Sequence, residues 1–180
     1  SVMKSMKSLS NTLCRAATAL LFREQSAGEW VTPNHHSRGS SEFFALREAD
    51  LLRYFGRIAA SVEIPLLVQD FNPGGATIGP DFIDALNYQH ANFIYVKLEE
   101  PLMADKMVAI RDRVQGRVDV FEGWGGYYML EVLPYGLAGA MPGVPIADVL
   151  SRTFKLWEAG NRQGSYELFR NILPFIAYTL

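Results

Sequence analysis

An α/β fold built on a parallel sheet is the class this 180-residue sequence predicts. Three observations carry the prediction. Four apolar runs of strand length begin near residues 64, 92, 117 and 137. The intervals of 28, 25 and 20 residues each hold a helical pattern of apolar positions. The runs are continuously apolar rather than alternating, as expected of parallel strands covered on both faces. Two architectures satisfy these facts, a doubly wound sheet or part of a (β/α)8 barrel. Both place their chemistry at the carboxyl ends of strands, which says where to look for a site.

Taken in order, the regular part of the chain opens with Leu46, Leu51, Leu52, Phe55 and Ile58, spaced as one helical face that runs through Ala60. The first strand follows at Ile64-Pro65-Leu66-Leu67-Val68-Gln69, then the loop Asn72-Pro73-Gly74-Gly75. A helix is expected from Pro80 to about Gln89, with Pro80 suited to a first turn. The second strand is Phe93-Ile94-Tyr95-Val96, ending at Lys97-Leu98. The helix after it spans Ala104–Val114, with Met107, Ile110 and Val114 on one face. Val118-Asp119-Val120-Phe121 is the third strand, Tyr127–Leu133 the next helix and Gly139-Ala140-Met141 a buried fourth strand. Two helices, roughly Ile146–Ala159 and Gln163–Tyr178, finish the chain with Gly160 as the stop between them.

Composition narrows the classes of function. With 49% hydrophobic residues, 15 Gly and 9 Pro, the chain is neither disordered nor low in complexity. A net charge of −2 gives no basic face for nucleic acid. The single Cys14 forbids an internal disulfide and a multi-cysteine metal site, and a cytoplasmic setting is the default. Charge is uneven: residues 1–40 carry +3 and the remainder −5. Ser1–Phe22, without an acidic residue, reads either as a targeting segment or as an ordinary surface helix or leader. Its apolar run Ala16–Phe22 is far short of the roughly 20 residues a bilayer needs, so no membrane partner is expected. Residues 1–41 therefore form a basic leader and loop of uncertain structure, and 42–180 the α/β unit. His35 and His36 lie in that loop; adjacent positions point apart and no third ligand is near, so no metal is expected.

The strand ends offer Gln69 and Asp70, then Lys97, Glu99 and Glu100, then Glu122 with Gly123-Trp124-Gly125-Gly126, then Met141. Lys97 directly follows an apolar strand. Desolvation there would favour the neutral amine, which can attack a carbonyl to form a Schiff base. The other reading is a lysine at a strand's exit that pairs with Glu99 or Glu100. The glycine cluster departs from G-x-G-x-x-G, since Tyr128 stands three after Gly125, so no dinucleotide or other cofactor is expected. It is either a turn whose amides cradle a small anionic ligand or a plain turn between strand and helix.

From about Glu48 onward the chain resembles the C-terminal half of the dihydrodipicolinate synthase / N-acetylneuraminate lyase family of class I aldolases. The segments that carry the resemblance are Leu51-Leu52-Arg53-Tyr54-Phe55, Ile64 to Asp70, Asn92 to Glu99, Phe121-Glu122-Gly123, Gly136 to Gly143 and Glu158-Ala159-Gly160-Asn161. Their order and spacing resemble strands five to eight of that family's barrel, which implies a partial (β/α)8 barrel with a C-terminal helical segment. The resemblance places Lys97 on the family's Schiff-base lysine. Gly123 falls at the turn beside the bound keto acid, and Met141 where the eighth strand presents backbone to the carboxylate. The implied function is that of a Schiff-base lyase or aldolase on a 2-keto acid. A four-stranded half-barrel would leave edges and one face open, so the chain is a C-terminal fragment, or its N-terminal segment covers the opening, or two copies pair as a homo-oligomer.

The sequence also departs from the family pattern. Gln69, expected at the substrate, stands where the family has its proton-shuttling tyrosine, and an amide does not titrate. Tyr95, two before Lys97, shares that lysine's face without replacing the lost group. The loop Pro73–Gly79 lacks the arginine that the synthases use for a second carboxylate, which disfavours dihydrodipicolinate synthase activity itself. The Gln69-Asp70 pair and the run Lys97-Leu98-Glu99-Glu100-Pro101 resemble a separate branch of the family, with a pyruvate-type or sugar-acid-derived 2-keto acid as substrate. A whole barrel takes about 250 residues. The alternative is accordingly a truncated, catalytically silent half-barrel fragment or binding module.

Overall fold

The computed structural model describes residues 48–70, 78–100 and 103–179. The leader, Cys14, His35, His36 and the loop 71–77 lie outside the described residues, and with them every expectation placed on residues 1–41.

Helix α1 spans Glu48–Ala60, with Glu48 and Asp50 in its first turn and Arg57 in its last, each sign matched to the helix dipole. Leu51, Leu52, Phe55 and Ile58 pack on the core, as their spacing predicts. The Asn92 amide donates to Ala59 O at 3.0 Å and Val62 O at 2.9 Å, satisfying carbonyls that the end of the helix leaves open. Strand β1 is Leu66–Asp70, helix α2 Pro80–Gln89, strand β2 Phe93–Leu98 and helix α3 Met103–Val114. Met103, Met107, Ile110 and Val114 form the fully buried face of α3. That helix stops where Gln115 and Gly116 take positive φ. Strand β3 is Asp119–Glu122, helix α4 Met129–Val132 with a 3-10 turn at Leu133–Tyr135, and strand β4 Gly139–Ala140. After a second 3-10 turn, Val144–Ile146, helices α5, Ala147–Glu158, and α6, Arg162–Thr179, pack on each other. Gly160, at φ 79°, makes the turn between them.

All three strand pairings are parallel, in the order β1-β2-β3-β4. Each strand adds to the same edge with no reversal. That is the progression of a (β/α)8 barrel wall rather than of a doubly wound sheet with a switch point. The core lies between the sheet and the helices, around Val68, Phe82, Leu86, Val96, Leu98, Met107 and Val120.

Three expectations need correction. The strands are not covered on both faces: Leu66 and Val68 are buried toward the helices, while Leu67 is half-buried and Gln69 and Asp119 are exposed. The four described strands do not close on themselves; on the barrel-facing side Tyr95 and Phe121 are buried while Gln69 and Asp119 keep solvent. The fourth strand is only two residues long and half-buried. The helix expected at Tyr127–Leu133 is a single α-turn running into a 3-10 turn, because Pro134 cannot donate to a continuing α-ladder.

Candidate active site

The alternation of side chains along β2 places Lys97. Its neighbours Val96 and Leu98 are fully buried among the helices, so Lys97 lies on the barrel-facing side. The register sets it between Gln69 on β1 and Phe121 on β3, with Gly139 beyond. Lys97 keeps 17% of its side chain exposed. Its Nζ forms an ion pair with Glu99 Oε1, so of the two acidic neighbours in sequence it is Glu99 that pairs. The other carboxylate oxygen, Glu99 Oε2, accepts a hydrogen bond from Gln69 Nε2 at 3.0 Å. Gln69, Lys97 and Glu99 thus form one chain of contacts across β1 and β2. Tyr95 is on the same face but buried, packed edge-to-face on Phe121 at 5.7 Å, and burial raises its pKa.

Gly123 closes the site from the β3 side. Its N–H donates to Leu98 O at 2.8 Å, and a Cβ on residue 123 would lie 2.3 Å from Glu99 Cγ. Only glycine leaves room for the carboxylate that reaches Lys97. Met141 is half-buried and anchored by its N–H on Glu122 O at 2.8 Å, which keeps it at the carboxyl end of the sheet. Gln69, Lys97, Gly123 and Met141 therefore all stand at the carboxyl ends of the strands, and Glu99 joins the first three.

Two groups were legible only in part. Glu100, an alternative partner for Lys97, instead pairs with Lys106 of α3 at 2.7 Å. Lys106 also pairs with Asp70 at 2.5 Å, and Asp70 accepts the Ile78 N–H at 3.2 Å. Burial raises the pKa of Asp70 against the opposing pull of Lys106. The second group is Glu122, which is wholly buried. It accepts N–H bonds from Gly126 at 2.6 Å, Trp124 at 3.0 Å and Tyr128 at 3.4 Å. The amides of the glycine-rich turn close on the carboxyl group of its own Glu122. Gly125 and Gly126, at φ 60° and 91°, supply the left-handed backbone that aims those amides inward. Burial pushes the Glu122 pKa up to about 7, opposed by the backbone N–H groups of Tyr128, Gly126 and Trp124 and by the charge of Lys97. The signal in the sequence was an acid directly before Gly-Trp-Gly-Gly. Among the described residues no His, Cys, Asp or Glu group could hold a metal, and no helix is long and apolar enough to cross a membrane.

No family model matches the chain. Among curated proteins, the L-2-keto-3-deoxyarabonate dehydratase of Azospirillum brasilense is 26% identical over 171 residues, covering 93% of this chain and 53% of that protein. The chain thus spans about half the length of the curated relative it matches. Among solved structures, dihydrodipicolinate synthase from Rhodopseudomonas palustris superposes with a TM-score of 0.67 at 24% identity, over 73% of this chain and 46% of that one. A prophage protein of the dihydrodipicolinic acid synthase family from E. coli K12, solved with pyruvate, gives 0.65 at 22% identity, over 73% and 45%. The 4-hydroxy-tetrahydrodipicolinate synthase of Methylacidiphilum fumariolicum SolV gives 0.65 at 21%, over 79% and 45%. In sequence and in fold, this chain is similar to the C-terminal half of the barrel of the dihydrodipicolinate synthase family.

Proposed function

We propose that this chain carries the Schiff-base lysine of a lyase acting on a 2-keto acid. The observation that supports it most is the place of Lys97, on the barrel-facing side at the carboxyl end of β2, amid otherwise apolar strand residues. The neutral amine attacks the C2 carbonyl to give a carbinolamine, which loses water to form an iminium. The iminium draws electrons toward C2. In a dehydration the C3 proton leaves to give an enamine, and the C4 hydroxyl gains a proton and departs as water; in an aldol cleavage the C4 hydroxyl loses its proton, C4 becomes a carbonyl and the electrons of the broken C3–C4 bond pass to the iminium. Hydrolysis restores the amine and releases the product. No redox partner is needed.

The likeness to a 2-keto-3-deoxyarabonate dehydratase favours a sugar-acid-derived 2-keto acid and a dehydration. Gln69 in place of a titrating tyrosine points the same way, against dihydrodipicolinate synthase activity itself. Gly123 and Met141 flank the substrate carboxylate in this reading, and the enzyme works as a homo-oligomer in the cytoplasm. A second reading rests on the ion pair that engages Lys97 with Glu99, a silent half-barrel that binds without turnover.

Borohydride trapping separates the two. With pyruvate or a 2-keto-3-deoxy sugar acid, the full chain gains a reduced adduct on Lys97 by peptide mass spectrometry, and Lys97→Ala gains none. Failure to trap any of several 2-keto acids leaves the binding module as the reading.

A further inference from the structure

We infer that Glu99 is the acid–base group of Lys97, doing the proton transfers that Gln69 cannot. The inference rests on the Schiff-base reading above and adds a catalytic residue to it. A lysine that forms an imine must lose a proton to become nucleophilic, and the carbinolamine hydroxyl must gain one to leave as water. Both events take place within bonding distance of the lysine nitrogen. Among the described residues, the carboxylate in direct contact with Lys97 Nζ is that of Glu99.

Three features hold that carboxylate in place. Gln69 Nε2 donates to Oε2 at 3.0 Å, leaving Oε1 for the amine. The Glu99 N–H donates to Asp70 O at 3.1 Å, tying its backbone to the end of β1. Residue 123 is a glycine, and a Cβ there would overlap Glu99 Cγ at 2.3 Å and sit 2.8 Å from Leu98 O. The side chain is 10% exposed, so bulk water has little access to compete for the proton. The rival groups are otherwise engaged. Tyr95 faces Phe121, Glu100 is held by Lys106, and the Glu122 carboxylate is committed to three backbone N–H groups.

Glu99 takes a proton from the Lys97 ammonium, and the free amine bonds to C2. As the nitrogen becomes a secondary amine its extra proton passes to the former carbonyl oxygen. The protonated Glu99 then gives its proton to that hydroxyl, the C–O bond breaks to release water, and the nitrogen lone pair completes the C=N bond. Glu99 ends as the carboxylate it began as, with one water formed and no change of oxidation state. In this arrangement Gln69 positions the carboxylate rather than touching the substrate.

The test uses the full chain, pyruvate and a timed borohydride quench, comparing Glu99→Gln and Glu99→Ala with the wild type. Both variants are expected to form the adduct on Lys97 about 100-fold more slowly, the lower range for loss of a general acid–base. Added formate should restore a large part of the rate in Glu99→Ala, where space for it exists, and not in Glu99→Gln. Wild-type rates in the two variants overturn the inference while leaving the Schiff-base reading intact. Slow variants with unchanged circular dichroism that formate does not accelerate also overturn it, since they show a structural role. A wild type that never traps overturns the Schiff-base reading, and this inference with it.

Discussion

Glu122 shows how much of a residue's behaviour is set by its surroundings. An isolated glutamate titrates near 4.3. Here burial holds the pKa at about 7, even though three backbone N–H groups and the charge of Lys97 favour the carboxylate. Because the folded chain holds this proton more tightly than the unfolded one, the stability Glu122 contributes is greatest at low pH. That contribution falls as pH rises through the window between about 4.5 and about 7. Asp70, whose pKa is also raised by burial, acts with the same sign. Urea unfolding across pH 5–8 should therefore show a decline that Glu122→Gln flattens. At pH 5 the same substitution should cost about 1–2 kcal/mol, because its amide nitrogen faces one of the N–H groups the carboxylate accepts. An unflattened profile would place the proton elsewhere. The sequence shows an acid before a glycine-rich turn. It does not show that the turn's amides close on that acid, because the closure depends on the left-handed conformations of Gly125 and Gly126.

At the scale of elements, α3 is joined to the carboxyl ends of β1 and β2 by a charged cluster. Lys106 reaches 36 residues back to Asp70 at 2.5 Å and also binds Glu100 at 2.7 Å. Asp70 stands on the helix side of β1, where a lone charge would be desolvated without compensation. Lys106→Met keeps the helix and its volume but leaves that carboxylate unpaired. It should destabilise the fold by about 3–5 kcal/mol at neutral pH, the usual cost of removing one partner from a buried pair. The loss should shrink in acid as Asp70, whose pKa burial raises, takes up a proton; urea denaturation at neutral and acid pH checks both. A loss equal at both pH values would mean that Lys106 acts through packing alone. The helix itself was legible from Met107, Ile110 and Val114, since an i, i+3, i+7 stripe needs only local geometry. Its charge partners were not, since they are brought close only by the crossover connection.

For the whole molecule, the sheet leaves one side of β1 and one side of β4 without a neighbouring strand among the described residues. The barrel-facing side also exposes Gln69 and Asp119. Unpaired parallel edges beside a half-covered face are surfaces that proteins cover. Two copies, each giving four parallel strands, supply the eight that a closed barrel of this class needs. Light scattering of the full chain is expected to give at least twice the mass of a single chain, and a stable, well-folded monomer would refute the pairing. The amino-acid sequence alone determined the order of strands and helices, the buried helix faces and the lysine at the end of β2. Those features follow from the 3.6-residue period of the helices and from continuous apolar runs of strand length, the second of which ends at Lys97. Tertiary structure alone decided that Glu99 pairs with Lys97 while Glu100 turns to Lys106. It also decided that the glycine-rich turn holds Glu122 and that the fourth strand is a two-residue bridge. Each of these outcomes is a competition for hydrogen bonds and charge between groups brought together across the sheet, and through-space competition leaves no periodic trace in the sequence.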